Sequence, residues 1–75
     1  MPRWKKSERI REIIEAVLSK PGTVKEFIAR AQVAGLTEKV ATRGVYYHLC
    51  WYRRRMYMQK LPNGLEQLVK VREGK

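Results

Sequence analysis

Apolar residues recur at helical spacing in the first third of the chain. Five of them stand at positions i, i+3, i+4, i+7 and i+8: Ile10, Ile13, Ile14, Val17 and Leu18. A stripe with this spacing is typical of a helix that buries one face. Ser7 is a suitable N-cap residue, and Pro21-Gly22 stands where such a helix has to stop. The pattern predicts a helix over about residues 8–19.

A second helical pattern follows directly. Thr23 and Glu26 form the Thr-x-x-Glu sequence of a capping box, in which each residue satisfies a backbone N–H near the helix start. Four apolar residues then keep the helical spacing: Val24, Phe27, Ile28 and Ala31. Gly35 is a suitable stop signal. We expect a second helix over about residues 24–33.

The third segment has two unlike faces. One face is mainly apolar and contains Ala41, Val45, His48, Leu49 and Tyr52. The residues half a turn away are basic, aromatic or cysteine: Arg43, Tyr46, Tyr47, Cys50 and Arg54. We expect a helix over about residues 38–54, with Thr37 or Thr42 as its N-cap. Gly44 lowers the stability of this helix by up to about 1 kcal/mol relative to alanine.

The last segment changes to a period of two and contains a turn signal. Asn63-Gly64 is typical of a two-residue hairpin turn, because both residues tolerate positive φ. Such a turn sets the register of two strands between residues 56 and 71. Its apolar side then pairs Met58 with Val69 and Met56 with Val71. Its other, mixed side pairs Gln59 with Leu68 and Tyr57 with Lys70.

The net charge narrows the choice of partner. The 75 residues contain seventeen Lys and Arg against seven Glu and no Asp, for a formal net charge of +10. We expect an anionic partner, with nucleic acid ahead of an acidic membrane surface. A chain of this length forms one domain and cannot enclose a large substrate cavity beside its core. No apolar run approaches the roughly 20 residues that span a bilayer, which excludes a transmembrane protein. Because no apolar stretch of signal-peptide kind follows the basic start, we expect a cytoplasmic protein, with double-stranded DNA rather than a membrane as the preferred partner.

Candidate catalytic and metal-binding residues are few. Cys50 is the only cysteine, which excludes an internal disulfide and a cysteine-based zinc site within one chain. His48 is the only histidine, and at a spacing of two on a helix it points away from Cys50. With no aspartate and only one histidine, neither a catalytic triad nor a histidine-based metal site can be assembled in one chain. We therefore expect a protein that is not an enzyme and uses no cofactor or metal.

Three helices followed by a β-hairpin, with a basic third helix, resemble the winged helix-turn-helix family of DNA-binding domains. The sharpest similarity is Ala41-Thr-Arg-Gly-Val-Tyr-Tyr-His-Leu49, which resembles the recognition helix of bacterial and archaeal winged-helix regulators. Met56-Tyr-Met58 stands where that family enters its first wing strand. The resemblance implies an α+β fold with a three-helix core and a two-stranded wing. It divides the chain into a basic arm (1–6), a winged-helix domain (7–72) and a short tail (73–75).

The resemblance and the charge pattern together select candidate DNA-binding residues. From Lys39 to Leu65 the chain has six basic residues and no acidic one. Arginine bonds bidentately to guanine edges, and tyrosine bonds phosphate or packs against thymine methyl groups. For the run Arg53-Arg54-Arg55, phosphate contact competes with a plain role in capping the helix C-terminus, and Arg54 is the preferred candidate. The candidates are Lys39, Thr42, Arg43, Tyr46, Tyr47, Arg53, Arg54 and Lys60.

The leading hypothesis for function is a sequence-specific transcription regulator. It places the third helix in the major groove of double-stranded DNA and the hairpin (56–71) on the adjacent backbone or minor groove. A non-specific DNA-, chromatin- or replication-associated binder and a winged-helix protein–protein adaptor are the alternatives. RNA binding by the same surface, and a homodimer that reads a palindrome, also stay open.

Overall fold

The computed structural model describes the backbone of residues 4–69 and the side chains of residues 8–69. Five elements follow one another: α1 (Trp4–Leu18), α2 (Val24–Val33), α3 (Glu38–Arg54), β1 (Met58–Lys60) and β2 (Glu66–Leu68). The two strands form an antiparallel sheet. The predicted α+β layout of three helices followed by a two-stranded hairpin is therefore confirmed. The predicted tail (73–75) and the last predicted hairpin residues (70–71) lie outside the described residues.

The core forms where the apolar faces of the three helices meet the inner side of β2. Its largest fully buried side chains are Phe27, Ile14, Leu18, Leu49 and Val45. Smaller or more peripheral members are Val17, Ala31, Ala41, Tyr52, Tyr57 and Leu68. Burial of one large aliphatic or aromatic side chain contributes roughly 1.5–3 kcal/mol. The apolar stripes of all three helices supply residues to this core, so the buried faces assigned to the helices from the sequence are confirmed.

The first helix begins earlier than its predicted N-cap. α1 starts at Trp4, so Ser7 lies inside the helix and the prediction that it caps the N-terminus is wrong. Part of the predicted basic arm is therefore helical. The physical reason is that no glycine or proline separates Trp4 from Ser7, and tryptophan and lysine are both tolerated in helices.

The starts of the other two helices agree with the sequence. Thr23 Oγ1 accepts from the backbone N–H of Glu26, and Glu26 Oε1 accepts from the backbone N–H of Thr23, which completes the predicted capping box of α2. Thr37 caps α3 by accepting from the N–H of Val40 at 3.2 Å. Of the two N-cap candidates for the third helix, Thr37 is thus the one used.

Gly44 lies where α1 and α3 come closest together. A Cβ atom at this position would be 3.2 Å from Ile14 Cδ1 and 4.0 Å from Ile10 Cγ2. The absent side chain lets these two isoleucines rest on the backbone of α3. Packing at this contact therefore offsets the low helix propensity of glycine.

α3 ends in a turn that usually contains glycine. The N–H of Met56 donates to the carbonyl of Arg53 at 3.0 Å, and that of Tyr57 donates to the carbonyl of Tyr52 at 2.8 Å. This pair of bonds defines a Schellman motif, whose penultimate residue takes the left-handed conformation. Met56 is that residue, with φ of 64° and a side chain that is 84% exposed. The prediction that Met56 lies in a strand on the apolar side of the hairpin is therefore wrong.

The register of the hairpin differs by one residue from the predicted register. The observed pairs are Met58 with Leu68, Gln59 with Gln67, and Lys60 with Glu66. Leu68 is 5% exposed and belongs to the core, whereas Val69 is 53% exposed. The predicted pairing of Met58 with Val69, and of Gln59 with Leu68, is wrong.

A three-residue loop accounts for the shifted register. The N–H of Gly64 donates to the carbonyl of Leu61 at 3.1 Å, and Leu61 pairs with Leu65 across the loop. Gly64 has φ of 85°, as hairpin loops of this length require at their last position. Pro62 has a fixed φ near −65° that suits the second position of the turn, whereas a two-residue turn would place it in the strand.

The linker between α1 and α2 extends the small sheet. The N–H of Gly22 donates to the carbonyl of Glu66 at 3.0 Å, and the N–H of Glu66 donates back to the carbonyl of Gly22 at 2.9 Å. β2 is therefore paired on both sides at Glu66, with β1 on one side and the linker on the other. Nothing in the local sequence pattern indicates this bridge.

Met56→Gly should stabilise the fold. A side chain in the left-handed region costs roughly 1–2 kcal/mol, and glycine removes this cost. Glycine also raises the entropy of the unfolded chain, which offsets part of the stabilisation. We expect a net gain of about 1 kcal/mol, which raises the melting temperature of a domain of this size by about 4–8 °C. Thermal unfolding followed by circular dichroism measures the change.

Met56→Ala is the matched control for that experiment. It removes the same exposed side chain but keeps the left-handed strain, so its melting temperature should stay close to that of the wild type. An equal gain in both variants would mean that the side chain, and not the backbone conformation, is unfavourable.

Candidate nucleic-acid interface

The side of α3 that points away from the core carries basic and aromatic side chains. We define the outward face of α3 by six exposed residues: Lys39, Arg43, Tyr46, Tyr47, Cys50 and Arg54. Tyr46 and Tyr47 are 57% and 68% exposed. The opposite side of the same helix is buried at Val45 and Leu49. The two unlike faces predicted for the third helix are therefore present.

The cations of the outward face are not neutralised by neighbouring carboxylates. In the part of the chain that the structure describes, the ion pairs are Arg11–Glu15, Arg30–Glu26 and Arg53–Glu66. None of them involves Lys39, Arg43 or Arg54. Because like charges on one helix face repel each other, an anion bound there would relieve an unfavourable interaction.

The ring of Tyr47 has a fixed neighbour. His48 Nδ1 lies 2.9 Å from the carbonyl oxygen of Gly44, so Nδ1 carries the proton and donates it to that oxygen. Tyr47 packs edge-on against the imidazole, with ring centroids 5.2 Å apart and an interplanar angle of 85°. His48 thus supports an exposed tyrosine from the flank of the helix. This arrangement gives Tyr47 a preferred orientation toward solvent.

Two predicted site residues do not belong to the outward face. Thr42 is half-buried on the flank of α3. Arg53 turns toward the hairpin, where its Nε and NH2 groups donate to the two carboxylate oxygens of Glu66 at 2.8 and 2.7 Å. The predicted cation Lys60 is exposed on β1, in the position opposite Glu66. Arg53 is therefore engaged in holding the hairpin, a contact that the sequence does not signal.

The Arg53–Glu66 pair changes the pKa values of both groups. Hydrogen bonding to the Arg53 guanidinium lowers the pKa of the Glu66 carboxyl, and this effect outweighs the opposite effect of burial. The same bond raises the pKa of Arg53. The side chain of Glu66 is only 9% exposed. A buried carboxylate of this kind contributes to stability only while it is ionised.

A second arginine at the end of α3 is stacked on an aromatic ring. The guanidinium carbon of Arg55 lies 3.9 Å from the centroid of the Trp51 ring. Trp51 in turn packs edge-on against Tyr52 and Tyr57, at centroid distances of 5.4 and 6.2 Å. Arg55 is exposed and is absent from the residues predicted from the sequence. The spacing of four between Trp51 and Arg55 on one helix is a signal from which this contact could have been predicted.

An open apolar groove lies beside the first turn of α3. It is lined by Arg9, Ile10, Ile13, Ala34, Gly35, Leu36, Thr37 and Val40. Val33, near the same turn of the chain, is 89% exposed. Exposed apolar surface of this kind is typical of protein contacts. The sequence does not single out this groove, because its residues come from two stretches, 9–13 and 34–40, that are distant in the sequence.

The structure brings no cluster of potential metal ligands together within the described residues. No group of three or more histidine, cysteine, aspartate and glutamate side chains converges in residues 8–69. Cys50 is exposed and unbonded to another cysteine. None of the helices in the described range combines the length and the apolar character needed to cross a bilayer.

Comparison of the chain with protein-family models, with curated protein sequences and with solved structures gives no significant match. The support for a nucleic-acid interface is therefore the geometry and the charge of the outward face of α3.

Glu66→Gln should destabilise the fold at neutral pH. Loss of the charge-assisted pair with Arg53 costs about 1–3 kcal/mol, since half of the arginine side chain is in water. The pKa of Glu66 is lowered by folding, so its contribution is fully present above the ordinary glutamate value of about 4.3 and is lost as pH falls through the lowered value. The difference between variant and wild type should therefore shrink on acidification. Urea unfolding at about pH 7 and about pH 3 measures both effects.

Glu12→Gln is the control for Glu66→Gln, because Glu12 is exposed on α1. It should change the free energy of unfolding by less than about 0.5 kcal/mol at both pH values. A Glu66→Gln deficit that stays constant with pH would show that the carboxylate charge is not its cause.

Proposed function

We propose that this chain is a winged helix-turn-helix protein that binds double-stranded DNA sequence-specifically and regulates transcription. The single observation that carries the proposal is the outward face of α3, which is cationic and aromatic and free of carboxylate partners within the described residues. Basic charge, exposed aromatic rings and a helix that projects from a small core coincide on one surface. That coincidence is the footprint expected for a protein that reads a duplex.

The dimensions of a helix fit this proposal. The major groove of B-DNA is about 12 Å wide, and an α-helix with its side chains is about 10–12 Å across. In this arrangement Arg43 reads guanine through its fork of donors. Tyr47 packs against a thymine methyl group or donates to a phosphate. Arg54 and Lys39, near the two ends of the same face, contact the flanking backbone.

The hairpin is the second part of the proposed interface. Its attachment to α3 through Arg53 and Glu66 keeps β1 beside the end of the helix. Lys60 is exposed on that strand and would reach a phosphate or the minor groove next to the site read by α3. In this proposal Arg53 positions the hairpin and is not itself a DNA contact.

A protein–protein adaptor is the second candidate function. The observation that favours it is the apolar groove beside the first turn of α3, together with the 89% exposure of Val33. The two candidates use different surfaces, so they can be separated by mutation. A loss of function through Val33 and Val40, with the outward face unimportant, would favour the adaptor.

Selection of bound sites from random duplex DNA tests the proposed function directly. Enrichment of a defined motif is the expected result, and its symmetry gives the stoichiometry. A palindrome indicates a dimer and a single half-site a monomer. Binding without any enrichment would replace the proposal by non-specific DNA association, and no binding at low salt would overturn it.

Arg43→Ala should weaken binding to the selected site by about 1–3 kcal/mol and relax the preference at one base pair. The reason is the loss of a bidentate contact to a base edge. Fluorescence anisotropy with the selected duplex and with single-base variants measures both effects. Tyr47→Ala should also lower the affinity.

Arg11→Ala is the matched control, since it removes the same charge from an exposed arginine on α1. Its affinity should remain near that of the wild type. If Arg43→Ala and Tyr47→Ala leave the affinity unchanged, the outward face of α3 does not enter the groove.

A further inference from the structure

We propose that Arg55 binds a backbone phosphate of the nucleic acid and that Trp51 is the residue that positions it. The inference rests on the proposed function and assigns the phosphate contact to Arg55, whereas the sequence favours Arg54 within the same run. It concerns the run Arg53-Arg54-Arg55, whose three side chains have different surroundings. The contacts that each guanidinium already makes determine which of them can bind a phosphate.

Arg53 already uses two of its N–H donors within the protein. Its Nε and NH2 groups both donate to Glu66, at 2.8 and 2.7 Å, in a bidentate pair. A phosphate could bind these donors only by displacing a carboxylate that is itself 9% exposed. Leaving that carboxylate buried and unpaired would be costly. Arg53 is thus already paired with a carboxylate, whereas no ion pair within the described residues involves Arg54 or Arg55, which makes the neighbouring arginines the better candidates for a phosphate contact.

The arginines are not required to cap the helix. The carbonyls of Tyr52 and Arg53 accept from the N–H groups of Tyr57 and Met56, at 2.8 and 3.0 Å. The carbonyl of Trp51 accepts from the N–H of Arg55 at 3.3 Å. Backbone donors thus satisfy three of the carbonyls in the last turn, which arginine side chains often bond at helix ends. This leaves the exposed guanidinium groups available for another partner.

The stacking geometry of Arg55 suits phosphate binding. Its guanidinium carbon lies over the face of the Trp51 ring, 3.9 Å from the ring centroid. The N–H donors of a guanidinium lie in its plane, and stacking leaves them directed outward. Because Trp51 is itself held by Tyr52 and Tyr57, the side chain of Arg55 is ordered before any ligand arrives. Less side-chain entropy is then lost on binding.

The position of Arg55 agrees with this assignment. It follows Arg54 of the outward face and precedes β1, which carries the exposed Lys60. A strand of nucleic acid that contacts both α3 and the hairpin would pass this junction. Arg55 would then bind the sugar-phosphate backbone without reading sequence.

The test is the salt dependence of binding to a duplex of the selected sequence. Each phosphate contact to B-DNA contributes about 0.9 to the slope of log K against log salt concentration. Arg55→Ala should lower the affinity by about tenfold, the value of one charge-assisted contact, and reduce the slope by about 0.9. The loss should be the same on unrelated duplexes, because the contact carries no sequence information. Arg11→Ala should change neither affinity nor slope.

Trp51→Leu separates positioning from charge. Leucine keeps apolar packing against Tyr52 and Tyr57 but removes the stacking surface, so affinity should fall by about threefold with the salt slope unchanged. In an Arg55→Ala background Trp51→Leu should cause no further loss. Upfield-shifted side-chain protons of Arg55 in the NMR spectrum should return to ordinary positions in Trp51→Leu, which confirms that the stack has been removed.

Three outcomes are decisive. Loss of slope in Arg55→Ala together with coupling to Trp51 supports the inference. A wild-type protein that binds DNA, with an unchanged slope in Arg55→Ala, overturns the inference and leaves the proposed function intact. A wild-type protein that binds no duplex even at low salt overturns both.

Discussion

The pairing of Arg53 with Glu66 is the contact on which the arrangement of α3 and the hairpin depends. Glu66 bonds through its backbone to Gly22 in the linker between α1 and α2, and through its side chain to the end of α3. Three segments that are distant in the sequence therefore meet at one residue. A two-stranded hairpin of three residues per strand is marginal by itself. Its position is set by this junction and by the burial of Leu68 in the core.

The three consecutive arginines at this junction have different contacts. Arg53 is committed to Glu66, Arg54 belongs to the outward face, and Arg55 stacks on Trp51. Successive helical residues differ in direction by about 100°, so neighbours in sequence contact different surroundings. A run of like charges is therefore not one functional unit. The role of each arginine follows from the groups that its own guanidinium contacts.

Local periodicity explains which features could be predicted from the sequence. The buried stripes and the caps at Thr23 and Thr37 depend on residues within one or two turns, and they were predicted correctly. The predicted hairpin register is wrong. It follows from Asn63-Gly64 as a two-residue turn, whereas Pro62 before them favours the longer loop. The pairing of Glu66 with Gly22 and Arg53 depends on chain segments brought together by the fold, for which no local pattern exists. The exposed face of α3 was predictable, and the separate role of Arg53 was not.

The two ends of α3 distinguish the candidate functions. Its first turn borders the apolar groove at Thr37 and Val40, so a protein partner in the groove would cover that end. Its last turn carries Arg54, and Arg55 follows as the C-cap residue, next to the hairpin that bears the exposed Lys60. A protein partner bound in the groove would not contact Arg55, which stacks on Trp51 at the opposite end of α3. A duplex that runs along the outward face would use both ends of the helix, which makes the ordered cation at the last turn the stronger argument for nucleic acid.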